Sequence, residues 1–278
     1  MTVYTPDSPL RHPLTLWREM WRDLFAARGL AWRLFVRDLS ALYRQSVLGY
    51  VWAFLPPLAA TLTFTFLGSQ NIIHIADIPV PYPAFVMMGT LLWQTFLDAL
   101  NSPLKAVTNS RNLLAKINFP REALILAGVA DVLFNFLVRL VLLIGVFLIY
   151  KLPVTPSLLL VPFGIFGLIS LGLTLGMLLT PLGVLYTDVS RGVLLVGGFW
   201  MLLTPVVYPI PKTGLGARIS HLNPVSPVLQ TCRDWLSAQP ATHLEGFLVV
   251  TGLSIVALLF GWVIYRLTMP ILIERIGS

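Results

Sequence analysis

The chain has 278 residues, of which 56% are hydrophobic and only 11% charged, with a mean hydropathy of +0.81. Soluble domains carry about 25% charged residues, so this balance excludes an ordinary soluble protein and makes the bilayer the solvent. The net charge of +7 suits anionic lipid or an acidic cytoplasmic partner better than nucleic acid; the single Cys232 excludes an intrachain disulfide, and four scattered His give no zinc-ligand spacing.

Residues 1–50 carry seven Arg: Arg11, Arg18, Arg22, Arg28, Arg33, Arg37 and Arg44. They contain no apolar run sufficient for a cleavable signal, so no processing is expected. Within 14–25, Leu16, Trp17, Met20, Trp21, Leu24 and Phe25 recur at helical spacing, with Arg18, Glu19, Arg22 and Asp23 between them. This pattern predicts a helix lying in the interface with Trp at headgroup depth, followed by a second helix over about 30–48.

A span needs roughly 20 mainly apolar residues. Six segments satisfy this: 50–67, 82–100, 123–150, 158–186, 193–208 and 247–269. The expected fold class is an all-α integral membrane protein with six transmembrane helices, an N-terminal amphipathic interface helix, and re-entrant helices between spans five and six. The domain division is 1–49 for the cytoplasmic interface or gate helices and 50–278 for the transmembrane domain. Within the latter, a short cytoplasmic helix is expected at about 109–120 and a re-entrant extracytoplasmic segment at about 210–243. Pro205, Pro209 and Pro211 favour that break.

Lys105, Arg111, Lys116 and Arg121 lie between spans two and three, Arg191 between four and five, and Arg266 and Arg275 near the end, whereas the 68–81 loop has no Lys or Arg. By the positive-inside rule both termini are expected in the cytoplasm. In the third span Asp131, Asn135 and Arg139 stand four apart on one helical face. A structural polar ladder is the leading reading, with a channel-lining or proton-relay role behind it. Gly172 and Gly176 form a GxxxG that permits close helix approach.

Enzymatic signatures are absent: the sequence has no Walker A loop, HExxH, CxxC, GxSxG or dinucleotide glycine pattern. His74 and Asp77 read as loop polarity, so no catalytic residue is expected.

Four stretches carry a resemblance: YRQSVLGYVWAFLPP (43–57), NLLAKINFPRE (112–122), LYTDVSR (185–191) and LNPVSPVLQTCRDWL (222–236). Each resembles the matching part of the permease subunits of ABC exporters for bacterial surface polysaccharides, although Thr187 stands where that family leads one to expect Arg. The resemblance implies a homodimer with two separate ATPase subunits. It implies no cofactor in this chain, with ATP and Mg in the partner, and a multi-pass protein of the inner membrane. O-antigen is the preferred cargo, with capsule or teichoic acid as the alternative.

Under that resemblance, Trp17, Met20 and Trp21 in the first helix and Asn112, Leu113, Lys116 and Ile117 in the short connection are the candidates for ATPase coupling. The alternative for Lys116 and Arg111 is that they only enforce topology. Arg37, Arg44, Lys105 and Arg111 are candidates for taking up a lipid pyrophosphate, or for contacting bulk anionic lipid. Tyr43, Trp52, Tyr82, Phe85, Trp93, Phe96, Trp200 and Tyr208 are candidates for a glycan path, because sugar CH groups pack on aromatic rings; Tyr82 and Tyr208 also fit an interfacial belt.

Two readings of other classes compete. A membrane-embedded transferase acting on lipid-linked sugars needs clustered acids or His, and Asp77, Asp98, Asp131 and Asp188 look isolated. A secondary transporter or channel needs paired intramembrane charges, for which Asp131 and Arg139 are the only support.

Overall fold

The computed structural model describes residues 13–44, 49, 51–70, 78–117, 119–211 and 213–277. His74 and Asp77 lie outside these residues, and Tyr43, Arg44 and Asn112 outside the described side chains. Every regular element among the described residues is helical.

The chain opens with α1 (Pro13–Ala26) and α2 (Arg28–Arg44). Leu16 and Met20 are buried while Arg18 and Arg22 are exposed, so the apolar stripe read from sequence is the face that packs. The i→i−4 ladder runs on through the junction, Ala27 N donating to Asp23 O and Ala31 N to Ala27 O, both at 2.8 Å. The pair is therefore one nearly continuous rod, not two hinged pieces.

Next come α3 (Val51–Ser69), α4 (Tyr82–Asn109), α5 (Arg111–Lys116), α6 (Glu122–Ile149), a 3₁₀ turn (Pro156–Leu160) and α7 (Val161–Leu185). After them follow α8 (Thr187–Leu203), α9 (Gly214–Leu222), α10 (Val225–Leu236) and α11 (Leu244–Gly277). Among the described residues, four stretches are long and apolar enough to cross a membrane: Val51–Ser69, Glu122–Ile149, Pro156–Leu185 and Leu244–Pro270. The other two expected spans correspond to α4 and α8. Helix α4 runs nine residues past its expected end and carries Asp98, Asn101 and Lys105, while α8 has only 17 residues.

The expected fifth segment, 193–208, is displaced toward the N-terminus, because α8 begins at Thr187 and takes Arg191 into the helix. It stops at Leu203 because Thr204, preceding Pro205, adopts an extended conformation (φ −95°, ψ 137°). Two short helices, α9 and α10, do form between α8 and α11, where irregular re-entrant structure is expected.

Helices α4 and α7 form the centre of the bundle. Their contact depends on small residues: a Cβ at Gly172 would lie 2.7 Å from the Phe96 carbonyl oxygen, and one at Gly176 only 2.3 Å from that of Leu100. The GxxxG spacing thus places two backbones in direct contact. Gly176→Val is expected to force the helices apart at a cost of about 1–3 kcal/mol. Thermal unfolding of the purified protein in detergent should show a midpoint lowered by several degrees, and an unchanged midpoint would refute this close approach.

Candidate functional site

At one end of the bundle, α1 is fastened to the last helix. Arg266 of α11 places NH1 2.7 Å from Glu122 Oε1, at the start of α6, and NH2 2.8 Å from Asp23 Oδ2 and 3.7 Å from Glu19 Oε2, both on α1. One turn earlier, Trp262 meets Trp17 and Trp21 edge-on, with ring centroids 6.4 and 5.6 Å apart. Three helices therefore share one guanidinium, and two of them, α1 and α11, also share an indole cluster. The Glu122 carboxylate is buried, where its charge needs a partner.

This arrangement sorts the coupling candidates. Met20 is wholly buried and presents nothing to another subunit; Trp17 is half-buried against Trp262. Trp21 keeps 47% of its surface exposed and stacks on exposed Phe25. In α5, Leu113 packs inward, while Lys116 and Ile117 face outward. Among the coupling candidates, Trp21, with Phe25 beside it, and Ile117 thus present open apolar surface. Nothing in the sequence pattern singles out Arg266, Trp262 or Glu122, although Trp262 and Arg266 stand four apart on one helical face.

The three uptake candidates with described side chains do not form one group. Arg37 and Lys105 line a cleft of about 550 Å³ between α2, α4 and α6, with Asp38 and Asp131 beside them. Arg37 Nε donates to Asp38 Oδ1 at 2.8 Å, and its NH2 to Ser110 Oγ at 3.2 Å. Arg111 sits elsewhere: its NH2 donates to the Val184 carbonyl at 2.9 Å, answering one of the free carbonyls at the C-terminus of α7. It joins α5 to α7.

The charged residues on the polar face of α6 find their partners on α4. Asp131 and Arg139 lie eight residues apart, about 12 Å along the axis, and do not pair with each other. Each instead meets a residue of α4: Lys105 Nζ lies 3.1 Å from Asp131 Oδ2, and Arg139 NH1 lies 2.7 Å from Asp98 Oδ2. Asp98 and Lys105 are seven apart and so share a stripe of α4. Of the four acids that look isolated in sequence, Asp98 and Asp131 are thus paired across two helices.

Of the aromatic candidates, Trp93 and Phe96 are fully buried and meet Trp200 with centroids 6.1 and 5.3 Å apart. Trp200 Nε1 donates to Asn223 Oδ1 at 3.2 Å, and Asn223 Nδ2 donates to Thr204 Oγ1 at 2.7 Å. At the far end, the Tyr82 hydroxyl donates to Val207 O and the Tyr208 hydroxyl to Leu202 O. The ring of Phe85 lies 3.7 Å beneath the guanidinium of Arg233, which also donates to Val206 O at 3.0 Å and to Gln230 Oε1. A buried cation is here held by a ring face and neutral oxygens. Within one chain these residues form a packed seam around the turn after α8. Among the described members of the set, Trp52, at 59% exposure, is the one that faces openly outward. Arg233, Asn223 and Gln230 fall inside the 222–236 stretch, but their roles depend on partners far away in sequence.

Residues 30–236 match the ABC-2 type transporter family. Over 244 residues the chain is 28% identical to a protein of Myxococcus xanthus described as O-antigen export system permease protein RfbA, covering 85% of this chain and 91% of that protein. A Klebsiella pneumoniae protein of the same description is 25% identical over 205 residues, which is 71% of this chain and 76% of that protein. The family match takes in α3 to α10, the crossed ion pairs and the Trp93–Trp200 seam, while α1 and Arg266 lie outside it. With a bundle of bilayer-length helices and a match over most of its length, the chain belongs to the ABC-2 type transporter family, as a membrane permease subunit.

Proposed function

We propose that the chain is the transmembrane subunit of an ATP-driven exporter that carries lipid-linked O-antigen polysaccharide across the bacterial inner membrane. Two copies would form the conduit, and two separate ATPase subunits, holding ATP and Mg, would drive it. The observation that carries this reading is the near end-to-end similarity to the Myxococcus xanthus O-antigen export permease. In this reading α4 and α8 complete six spans, α9 and α10 dip back into the bilayer from outside, and both termini face the cytoplasm. Residues 1–49 and the short α5 are the parts a moving ATPase would push. The cleft holding Arg37 and Lys105 suits a lipid pyrophosphate at the inner leaflet, Arg being able to grip phosphate oxygens in a bidentate manner. Trp52 is the described aromatic best placed to meet glycan in the space between two copies.

In cells lacking surface O-antigen export, the chain together with its ATPase should restore surface polysaccharide, and the chain alone should not. Vesicles in which this polypeptide moves glycan with no second subunit would overturn the reading.

Partner contact can be tested separately. Trp21→Ala combined with Ile117→Ala removes exposed apolar anchors; Trp21 also meets buried Trp262, so the thermal unfolding of the variant is read beside its binding. Loss of two such anchors is expected to weaken ATPase binding by about tenfold or more, each costing upwards of ~1 kcal/mol. Titration of labelled ATPase against nanodisc-embedded permease reads this directly; equal affinity for the two proteins would move the contact elsewhere.

A further inference from the structure

The cleft between α2, α4 and α6 adjoins the junction that carries α5. Lys105 and Asn109, both on its wall, belong to the last turn of α4, which ends at Asn109. Ser110 joins the two helices. Its carbonyl accepts from Leu113 N at 3.0 Å and Leu114 N at 2.9 Å, the first backbone bonds of α5. Its hydroxyl, on a residue 1% exposed, accepts from Arg37 NH2 at 3.2 Å. One guanidinium therefore lines the cleft and ties down the start of α5.

The charges on the wall are open to an incoming group. The side chains of Arg37 and Lys105 are 42% and 49% exposed, and each is matched by one partly exposed carboxylate, Asp38 or Asp131. Ion pairs this exposed hold weakly. A diphosphate offers several anionic oxygens at once, in charge-assisted bonds about twice as strong as neutral ones. Phe35, Ala41 and Ala106 add apolar surface to the same wall, which suits a diphosphate carried on a hydrocarbon tail.

Geometry then makes occupancy and the tie compete. A guanidinium grips an anion in a bidentate manner along one of two edges, Nε with NH2 or NH1 with NH2. Asp38 Oδ1 occupies the first, 2.8 Å from Nε and 2.7 Å from NH2. The second is left for a ligand, and its NH2 is the atom that holds Ser110. An anion gripped there takes the hydrogen bond away from Ser110, and the same anion pulls on Lys105 one turn before the junction. In the empty cleft the tie is made and α5 is held; in the filled cleft it is broken.

We propose that this cleft is a cargo sensor: a lipid diphosphate gripped by Arg37 and Lys105 draws Arg37 off Ser110, frees the start of α5, and raises ATP hydrolysis in the partner subunits. This rests on the exporter reading and adds to it the route by which an occupied cleft is reported. Ser110 acts as a positioning residue, out of contact with the ligand.

The permease with its ATPase in lipid nanodiscs is titrated with farnesyl diphosphate, farnesol or inorganic pyrophosphate while ATP hydrolysis is followed. Farnesyl diphosphate should raise wild-type turnover about fivefold, the weight of one modest hydrogen bond. Farnesol lacks the anion and pyrophosphate the tail, so each should leave turnover nearly unchanged. Ser110→Ala should begin at the raised rate and respond no further. It should also bind radiolabelled farnesyl diphosphate about fivefold more tightly than wild type, because the ligand no longer has to break the tie. A Ser110 that only supports the fold would lower that affinity or leave it alone. Lys105→Gln, which keeps the tie, should need more farnesyl diphosphate to reach the same plateau. No response in wild type, an unaltered response or affinity in Ser110→Ala, or equal stimulation by pyrophosphate or farnesol overturns the sensor. Surface polysaccharide in cells carrying the same proteins separates the two readings. Export by a complex that fails these assays sinks the sensor alone, whereas failure of wild type with its ATPase to export sinks the exporter reading.

Discussion

Replacing Arg139 with Met is expected to cost about 3–5 kcal/mol, enough to abolish most folded protein, because it strands the Asp98 carboxylate between helices. The guanidinium side chain is 9% exposed and lies 2.7 Å from that carboxylate. In the interior the attraction between the two charges offsets a large desolvation penalty, and removing one partner leaves that penalty standing. Asp98→Asn in the Met background should recover part of the loss by deleting the stranded charge, and the exchange Asp98→Arg with Arg139→Asp should recover more than either single change. Yield of monodisperse protein and thermal unfolding provide the measurements. A tolerated single Arg139→Met would show that the carboxylate finds water or a proton without it. The neighbouring pair, Lys105 with Asp131, borders an open cleft and is half-exposed on the Lys side, so its loss should matter far less.

If the chain is driven by a separate ATPase as proposed, Arg266→Met should uncouple ATP hydrolysis from export. The guanidinium joins α11 to Asp23 on α1 and to buried Glu122 on α6. Without it, α1 retains only its apolar face and the Trp17, Trp21 and Trp262 cluster as attachment. The expected result is a complex that still assembles and hydrolyses ATP while surface polysaccharide falls about tenfold, equivalent to ~1.4 kcal/mol of lost coupling. Glu122→Gln in the same background should restore thermal stability by relieving the unpaired carboxylate, yet leave export low. That split distinguishes transmission of force from mere stabilisation of the fold. Export that falls only in proportion to protein abundance would assign Arg266 a structural role alone.

Much of this architecture was legible because membranes impose strong periodic and compositional signals. The apolar stripe of α1, the GxxxG between α7 and α4, the short α5 and the break after α8 all follow from local residue types. What the sequence conceals is partnership over long separations. Asp98 and Arg139 are 41 residues apart and Asp23 and Arg266 are 243 apart, and no spacing rule joins them. The same blindness explains the aromatics. Trp93 and Phe96 have the composition of a sugar platform, but their burial against Trp200 depends on how α4 and α8 meet. Helix α8 departs from the expected 193–208 because Arg191 reads as a loop charge in sequence, whereas an exposed position on the first turns of a helix accommodates it.

The crossed pairs between α4 and α6 also bear on how the protein is made. A helix carrying Asp98 and Lys105 is a poor candidate for release into lipid by itself, and Arg139 burdens its neighbour likewise. Their charges cancel only once the two segments lie antiparallel, with Lys105 level with Asp131 and Asp98 level with Arg139. A segment carrying α4 without α6 is therefore expected to insert into a bilayer poorly, and the two together to insert as a neutralised hairpin.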